Sequence, residues 1–222
     1  MGAAAYRILL ICTGNTCRSS MAEVYLRHLL QERGVTGVEV TSAGLAAFEG
    51  APATPQAVQV MKEEGLDLAS HRAHRLAAAD VMRADLILTM TSDQKRALLG
   101  QYPQASGRVF ALLEYAEGKD LGPLLLRLHL LEQLEEARRK QKPEAAEHRV
   151  EEQGVPGGGD ESEDEREKRE LQAQLAVYDI EDPIGGDLEV YRKTARKIRT
   201  ALEQVVSRLT RELEGKGKKE SG

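Results

Sequence analysis

The run Ile8-Leu9-Leu10-Ile11, set between Arg7 and Cys12, constrains the fold more than any other stretch of this chain. It is far short of the ~18 apolar residues of a membrane span and too short for the apolar core of a signal peptide. It also lacks the apolar–polar alternation of a half-exposed strand. A short, continuous aliphatic run of this kind reads as a strand buried on both faces, which calls for a parallel sheet covered by helices.

The next hundred residues agree. Residues 19–33 place Ala22, Tyr25, Leu26, Leu29 and Leu30 on one helix face, and Gly34 supplies the stop. Residues 38–42 predict a second strand. Thr54-Pro55 predicts a helix start, with Thr as N-cap and Pro at the first helical position, and Gly65 closes that helix. A short helix over 78–83, a third strand over 85–90 and a weaker fourth over 109–112 complete an α/β alternation. Aliphatic side chains must fill the core, because the chain has no Trp, 2 Phe and 6 Tyr.

The pattern changes near Gly122. Leu121, Leu124, Leu125, Leu128, Leu131 and Leu134 form a helical stripe, after which residues 142–170 carry 11 acidic and 5 basic residues. That net −6 exceeds the net −5 of all 222 residues, so the remainder is near neutral. Dense charge with few apolar residues predicts disorder there. A final amphipathic helix carries Tyr191, Ala195, Ile198, Leu202, Val205, Leu209 and Leu213 on one face. The expectation is a single domain over residues 1–215, interrupted at about 122–175 by a helical-then-disordered insertion, with a disordered tail at 216–222. The insertion reads as a tolerated, solvated segment, with a basic partner as the alternative.

With 31 basic against 36 acidic residues the chain does not read as a nucleic-acid binder, and no run suits a membrane. Its two cysteines, Cys12 and Cys17, are too few for a disulfide framework or a four-cysteine zinc site. A cytoplasmic, reducing setting is expected.

The chemistry concentrates in Cys12-Thr13-Gly14-Asn15-Thr16-Cys17-Arg18-Ser19, directly after the first strand and directly before a helix. Ligands of open α/β sheets bind at the carboxyl ends of strands. A loop entering a helix turns its N–H groups inward and adds the positive end of the helix dipole, which makes an anion cradle; Gly14 is expected to permit the turn. Helix N-termini and a nearby arginine favour a thiolate over a thiol, and Arg18 can fork two donors onto phosphate oxygens. No Gly-Lys-Ser/Thr follows, so this is not a nucleotide-triphosphate loop. A general acid is also needed. Asp182-Pro183 is the candidate, since proline holds the preceding residue extended. Taken alone it reads as an ordinary turn, and Asp179 competes for the role.

Together these residues resemble the low-molecular-weight protein phosphatases, whose signature is Cys-x5-Arg-Ser near the N-terminus and Asp-Pro near the C-terminus. Here these are Cys12…Arg18-Ser19 and Asp182-Pro183, supported by Thr41-Ser42-Ala43-Gly44 and Ser70-His71-Arg72. The likeness covers roughly residues 6–121 and 176–210. Ser20 stands where proline is usual, with little expected effect on chemistry.

The resemblance implies a three-layer fold with a four-stranded parallel sheet flanked by helices. It implies a protein phosphatase working through phosphocysteine without metal or cofactor, with phosphorylated proteins as substrates; a monomer is expected. Cys12 is then the nucleophile, Arg18 the phosphate clamp and Asp182 the general acid and base. Thr13, Gly14, Asn15, Thr16, Cys17, Ser19, Ser42 and His71 are the loop and its support. Tyrosine-specific members usually carry Ile or Leu at the place of Thr16 and often an aromatic at that of Ile184. Thr16, which can accept a guanidinium N–H, resembles the bacterial protein arginine phosphatases. Phosphoarginine is therefore the expected substrate, phosphotyrosine the alternative, and a non-catalytic phosphoprotein-binding module the alternative of a different class. An arsenate reductase would need further cysteines after Cys17, and there are none. Cys17 packs, or else pairs reversibly with Cys12 to guard it from over-oxidation.

Overall fold

The computed structural model describes residues 5–141 and 162–219. They divide into two compact units: one runs up to Asp120 and resumes at Tyr178, and the other spans Leu121–Val177.

The first unit holds a four-stranded sheet, every neighbouring pair parallel, in the order β2-β1-β3-β4. The strands are β1 (Tyr6–Cys12), β2 (Val38–Gly44), β3 (Leu86–Thr89) and β4 (Val109–Ala111). The aliphatic run of β1 is buried on both faces, as its composition demands. Ile8 and Leu10 join a core with α1 (Arg18–Glu32), α2 (Pro55–Glu63) and α8 (Leu188–Lys219). Leu9 and Ile11 point the other way, to Val81 of α3 (Ala78–Arg83) and Leu98 of α4 (Ser92–Gln101). Alternation of side chains along a strand splits one run between two cores. The chain moves from β1 to β2 on one side and then to β3 on the other. The order therefore switches at β1, and a crevice opens at its carboxyl end.

Local signals act where expected. Thr54 Oγ1 accepts the Ala57 N–H to cap α2, and Gly34 and Gly65 take positive φ after α1 and α2. Helix α4 was missing from the sequence expectation. Its signal is Thr91-Ser-Asp-Gln94, the pattern of a helix start, and Thr91 Oγ1 accepts the Gln94 N–H at 3.2 Å.

Lys95 of α4 meets Glu114 of α5 (Leu112–Glu117), Nζ to Oε1 at 2.6 Å, with side chains 6% and 0% exposed. The other Glu114 carboxylate oxygen accepts the Ala111 N–H. Lys95→Met removes the ammonium from a fully buried carboxylate. The expected loss is roughly 3–5 kcal/mol of unfolding free energy in a urea titration, most of it recovered by adding Glu114→Gln. A loss below about 1 kcal/mol would mean that the pair is not structural.

The second unit corrects one expectation. Residues 163–170, expected to be disordered, belong to α7 (Glu163–Ala176). Ser162 and Glu165 form a capping box at its start. The acidic run is laced to α6 (Gly122–Gln141): Arg127 grips Glu167 through two bonds of 2.6 Å, Lys168 meets Glu135 at 2.6 Å, and Arg138 pairs with Asp164. Charge without apolar content predicts disorder only where the opposite charge is not fixed nearby. Leu171 and Leu175 are buried as well. The disorder expected for residues 142–161 lies outside the described residues. So does the end of the tail, although α8 continues to Lys219, past the 215 boundary. Gly215 and Gly217 each cost about 1 kcal/mol in a helix without removing a backbone hydrogen bond. Among the described residues no helix is long and apolar enough to cross a membrane.

Candidate active site

β1 ends on Cys12 and α1 begins at Arg18, so the five residues between them wrap the switch-point crevice. Cys12 is 1% exposed. Its Sγ accepts the Asn15 N–H at 3.2 Å and lies 2.9 Å from Ser19 Oγ. Asn15 is the hub. Its Nδ2 donates to Ser19 Oγ at 2.9 Å and to Ser42 Oγ at 2.8 Å, and its Oδ1 accepts the His74 N–H at 2.8 Å. Its carbonyl oxygen is 2.7 Å from His71 Nε2. Ser42 in turn bonds Glu23.

The turn is made differently from the expectation. Asn15 has φ 57°, alone among the described non-glycine residues in the left-handed region, while Gly14 is not left-handed. A Cβ on Gly14 would meet only Thr16 Oγ1 at 3.5 Å. Asparagine tolerates this backbone better than most residues, and here its amide is held by three hydrogen bonds, to Ser19, Ser42 and the His74 N–H. The glycine the loop does need is Gly44, at the end of β2. A Cβ there would lie 2.7 Å from Thr13 O and 3.0 Å from Asn15 N, an approach only glycine allows.

The remaining predicted residues gather at the same place. Thr13 is exposed, and its Oγ1 accepts Gln94 Nε2 at 3.1 Å. Thr16 is half-buried and its carbonyl accepts the Thr54 N–H at 2.8 Å. Cys17 occupies the N-cap position of α1 without a side-chain cap bond, and its Sγ lies 3.8 Å from Asp182 Oδ1. Burial, then the neighbouring Cys12 and Asp182, push its thiol up to about 12, so Cys17 stays protonated. Ser20 donates to Cys17 O at 2.9 Å in place of the usual proline.

Arg18 is 3% exposed. One Nη donates to Ile180 O at 3.2 Å and the other pairs with the Asp182 carboxylate. Its Nε is buried without a hydrogen-bond partner among the described residues. A buried guanidinium N–H left in that way calls for an acceptor. Asp182 thus stands over the loop from a sequence separation of 164 residues. Its Oδ1 accepts the Ile184 N–H at 3.2 Å, which holds the turn, and Ile184 is 65% exposed beside it. Asp179 is engaged elsewhere: its Oδ1 accepts the Ser92 N–H at 2.7 Å, at the start of α4, and burial raises its pKa.

Gln94, His74 and Glu23 also support the loop, and like Phe48 they belong to none of the motifs that single out the site in the sequence. Phe48 is 84% exposed in a segment whose Leu45 and Ala46 N–H groups bond Cys12 O and Thr13 O.

Residues 7–124 match the family model described as low molecular weight phosphotyrosine protein phosphatase. The chain belongs to that family. Among its relatives, the probable low molecular weight protein-tyrosine-phosphatase EpsP of Ralstonia solanacearum is 48% identical over 107 residues, 48% of this chain and 70% of that one. The protein-arginine-phosphatase of Geobacillus stearothermophilus is 42% identical over 115 residues, 52% of this chain and 74% of that one. A solved structure of the YwlE arginine phosphatase, a cysteine-to-serine mutant with phosphorylated active site serine, superposes with TM-score 0.63 at 25% identity. It covers 92% of this chain and 95% of its own. Family membership explains the loop between β1 and α1. Asp182 falls beyond the matched residues 7–124, so its place over the loop is contributed by the fold.

Proposed function

We propose that the chain is a cysteine-dependent protein phosphatase whose substrate is phosphoarginine. The observation that carries the phosphatase chemistry is the orphaned, buried Nε of Arg18, in the same loop as a cysteine sulfur already receiving an N–H. A phosphoryl oxygen supplies the missing acceptor. Cys12 Sγ attacks phosphorus while Arg18 and the loop N–H groups hold the equatorial oxygens. Substrate displaces the Asp182 carboxylate from Arg18; Asp182 takes up a proton from solvent and gives it to the leaving nitrogen as the N–P bond breaks. Water then attacks the phosphocysteine, Asp182 takes its proton back, and phosphate leaves with the sulfur restored. Two free cysteines within the loop suit a reducing, cytoplasmic setting.

Thr16 supports phosphoarginine over phosphotyrosine. It lies in the loop, half-buried, and offers a hydroxyl that can accept a guanidinium N–H where isoleucine offers none. The exposed Ile184 gives no aromatic face for a phenyl ring. Phosphotyrosine is the second reading, favoured by the 48% identity to EpsP. Phosphate release from phosphoarginine and phosphotyrosine peptides separates the two. Wild type is expected to prefer phosphoarginine, and Thr16→Ile to shift that preference toward phosphotyrosine on the order of 10- to 100-fold. Equal or faster phosphotyrosine turnover by wild type would overturn the arginine assignment.

A further inference from the structure

Behind the catalytic loop lies a cavity of about 440 Å³, walled by Glu23 and Arg27 of α1, Ser42 of β2, and His71, Arg72 and His74 from the segment before α3. It is separate from the face on which Asp182 meets Arg18, since neither residue lines it. Three of its walls hold Asn15: Ser42 accepts from the amide nitrogen, His74 donates to the amide oxygen, and His71 meets the carbonyl. Asn15 passes the contact on, because its own N–H rests on Cys12 Sγ.

The formal charges lining the cavity balance, Glu23 and Asp80 against Arg27 and Arg72, but the pairing leaves one of them out. Glu23 is engaged by Arg27 at 2.6 Å and by the Ser42 hydroxyl. Asp80 is engaged by His74 Nε2 at 2.8 Å and by the Ala77 N–H at 2.8 Å. Arg72 is different. Its guanidinium donates to the main-chain carbonyls of His71 at 2.7 Å and Ala69 at 3.4 Å, and it forms no ion pair among the described residues, although Glu23 and Asp80 line the same cavity. The hydroxyl of Ser70 lines the same space. The hydrogen bonds of Asp80 and Glu49 also favour the cationic form of His74. A forked donor with free charge, a hydroxyl and an imidazole around one polar cavity match an oxyanion with several acceptor oxygens.

We propose that this cavity is a second, regulatory oxyanion site, which takes a phosphate group and acts on the catalytic loop through Asn15. A bound phosphate draws on Arg72 and competes with the Asn15 carbonyl for the His71 Nε2–H, one of the bonds that fix Asn15 in its left-handed conformation. Turnover then falls without loss of substrate binding. The coupling rests on the phosphatase reading; the binding does not.

Calorimetric titration of the full chain with sodium phosphate is expected to show two sites, and Arg72→Gln to leave one. Arg72→Lys, which keeps the charge, is expected to restore part of the second site. With p-nitrophenyl phosphate as substrate, phosphate is expected to lower the limiting kcat of wild type about fivefold or more, and to inhibit Arg72→Gln by simple competition. A single phosphate site in wild type, or two sites unaffected by Arg72→Gln, overturns the proposal. A chain with no phosphatase activity but two phosphate sites overturns the proposed function and leaves the cavity standing. Phenylphosphonate in the same cell separates the sources of the group. It displaces phosphate from the Arg72 site if esters fit there, and leaves it bound if only the free ion does.

Discussion

Cys12→Ser is expected to lower turnover of a phosphorylated protein at least about 10⁴-fold while leaving phosphate binding intact. Serine matches the size of cysteine, so Asn15 N–H and the Ser19 hydroxyl keep a neighbour to bond. What is lost is the polarisable sulfur nucleophile. Arg18 with its free Nε is untouched, so the phosphoryl cradle persists. The variant should also reveal the covalent step. If serine attacks at all, its phosphoester has a poor leaving group and accumulates, and intact-mass spectrometry then shows one added phosphoryl group. The related YwlE mutant carries such a phosphorylated active site serine. Residual turnover above about one hundredth of wild type would exclude Cys12 as the nucleophile. Wild type with no turnover, but with measurable phosphoprotein binding, would favour the non-catalytic module instead.

Asp182→Asn is expected to cut kcat roughly 10²- to 10⁴-fold for substrates whose leaving group must be protonated. The amide can still accept the Ile184 N–H that shapes the turn, so the loop should hold. It has no proton of suitable acidity to give. The loss should be smallest with p-nitrophenyl phosphate, whose leaving group departs as a stable anion. A second effect runs the other way. The Asp182 carboxylate pairs with Arg18 in the resting structure and so competes with substrate for that guanidinium. Neutralising it should tighten phosphate binding severalfold while kcat falls, a split that loss of structure would not produce. Unchanged kcat on a poor leaving group would return the acid role to Asp179. That assignment runs against the bond from Asp179 to the Ser92 N–H.

The elements that were legible share one property: their signal is local. The aliphatic run of β1, Thr54-Pro55, Gly34 and Gly65 each act over a few residues, and each appears where the sequence places it. Helix α7 is not legible locally because its charges pair with partners on α6 that lie 26 to 40 residues upstream. Gln94 and His74 were overlooked for a related reason. Each touches the loop from a separation of dozens of residues, Gln94 through Thr13 and His74 through Asn15, and nothing in their own surroundings marks that contact.

By itself the sequence determined the parallel α/β core and the place of the chemistry, because burial of β1 and the strand–loop–helix order follow from short-range composition and sterics. Only the tertiary structure decided which residue bends the loop, which aspartate stands over it, and that a charged cavity lies behind it. These depend on approaches such as that of Gly44 to Thr13 and of Asp182 to Arg18. Distances of this kind exist only once the sheet has brought distant segments together, so no local pattern can encode them.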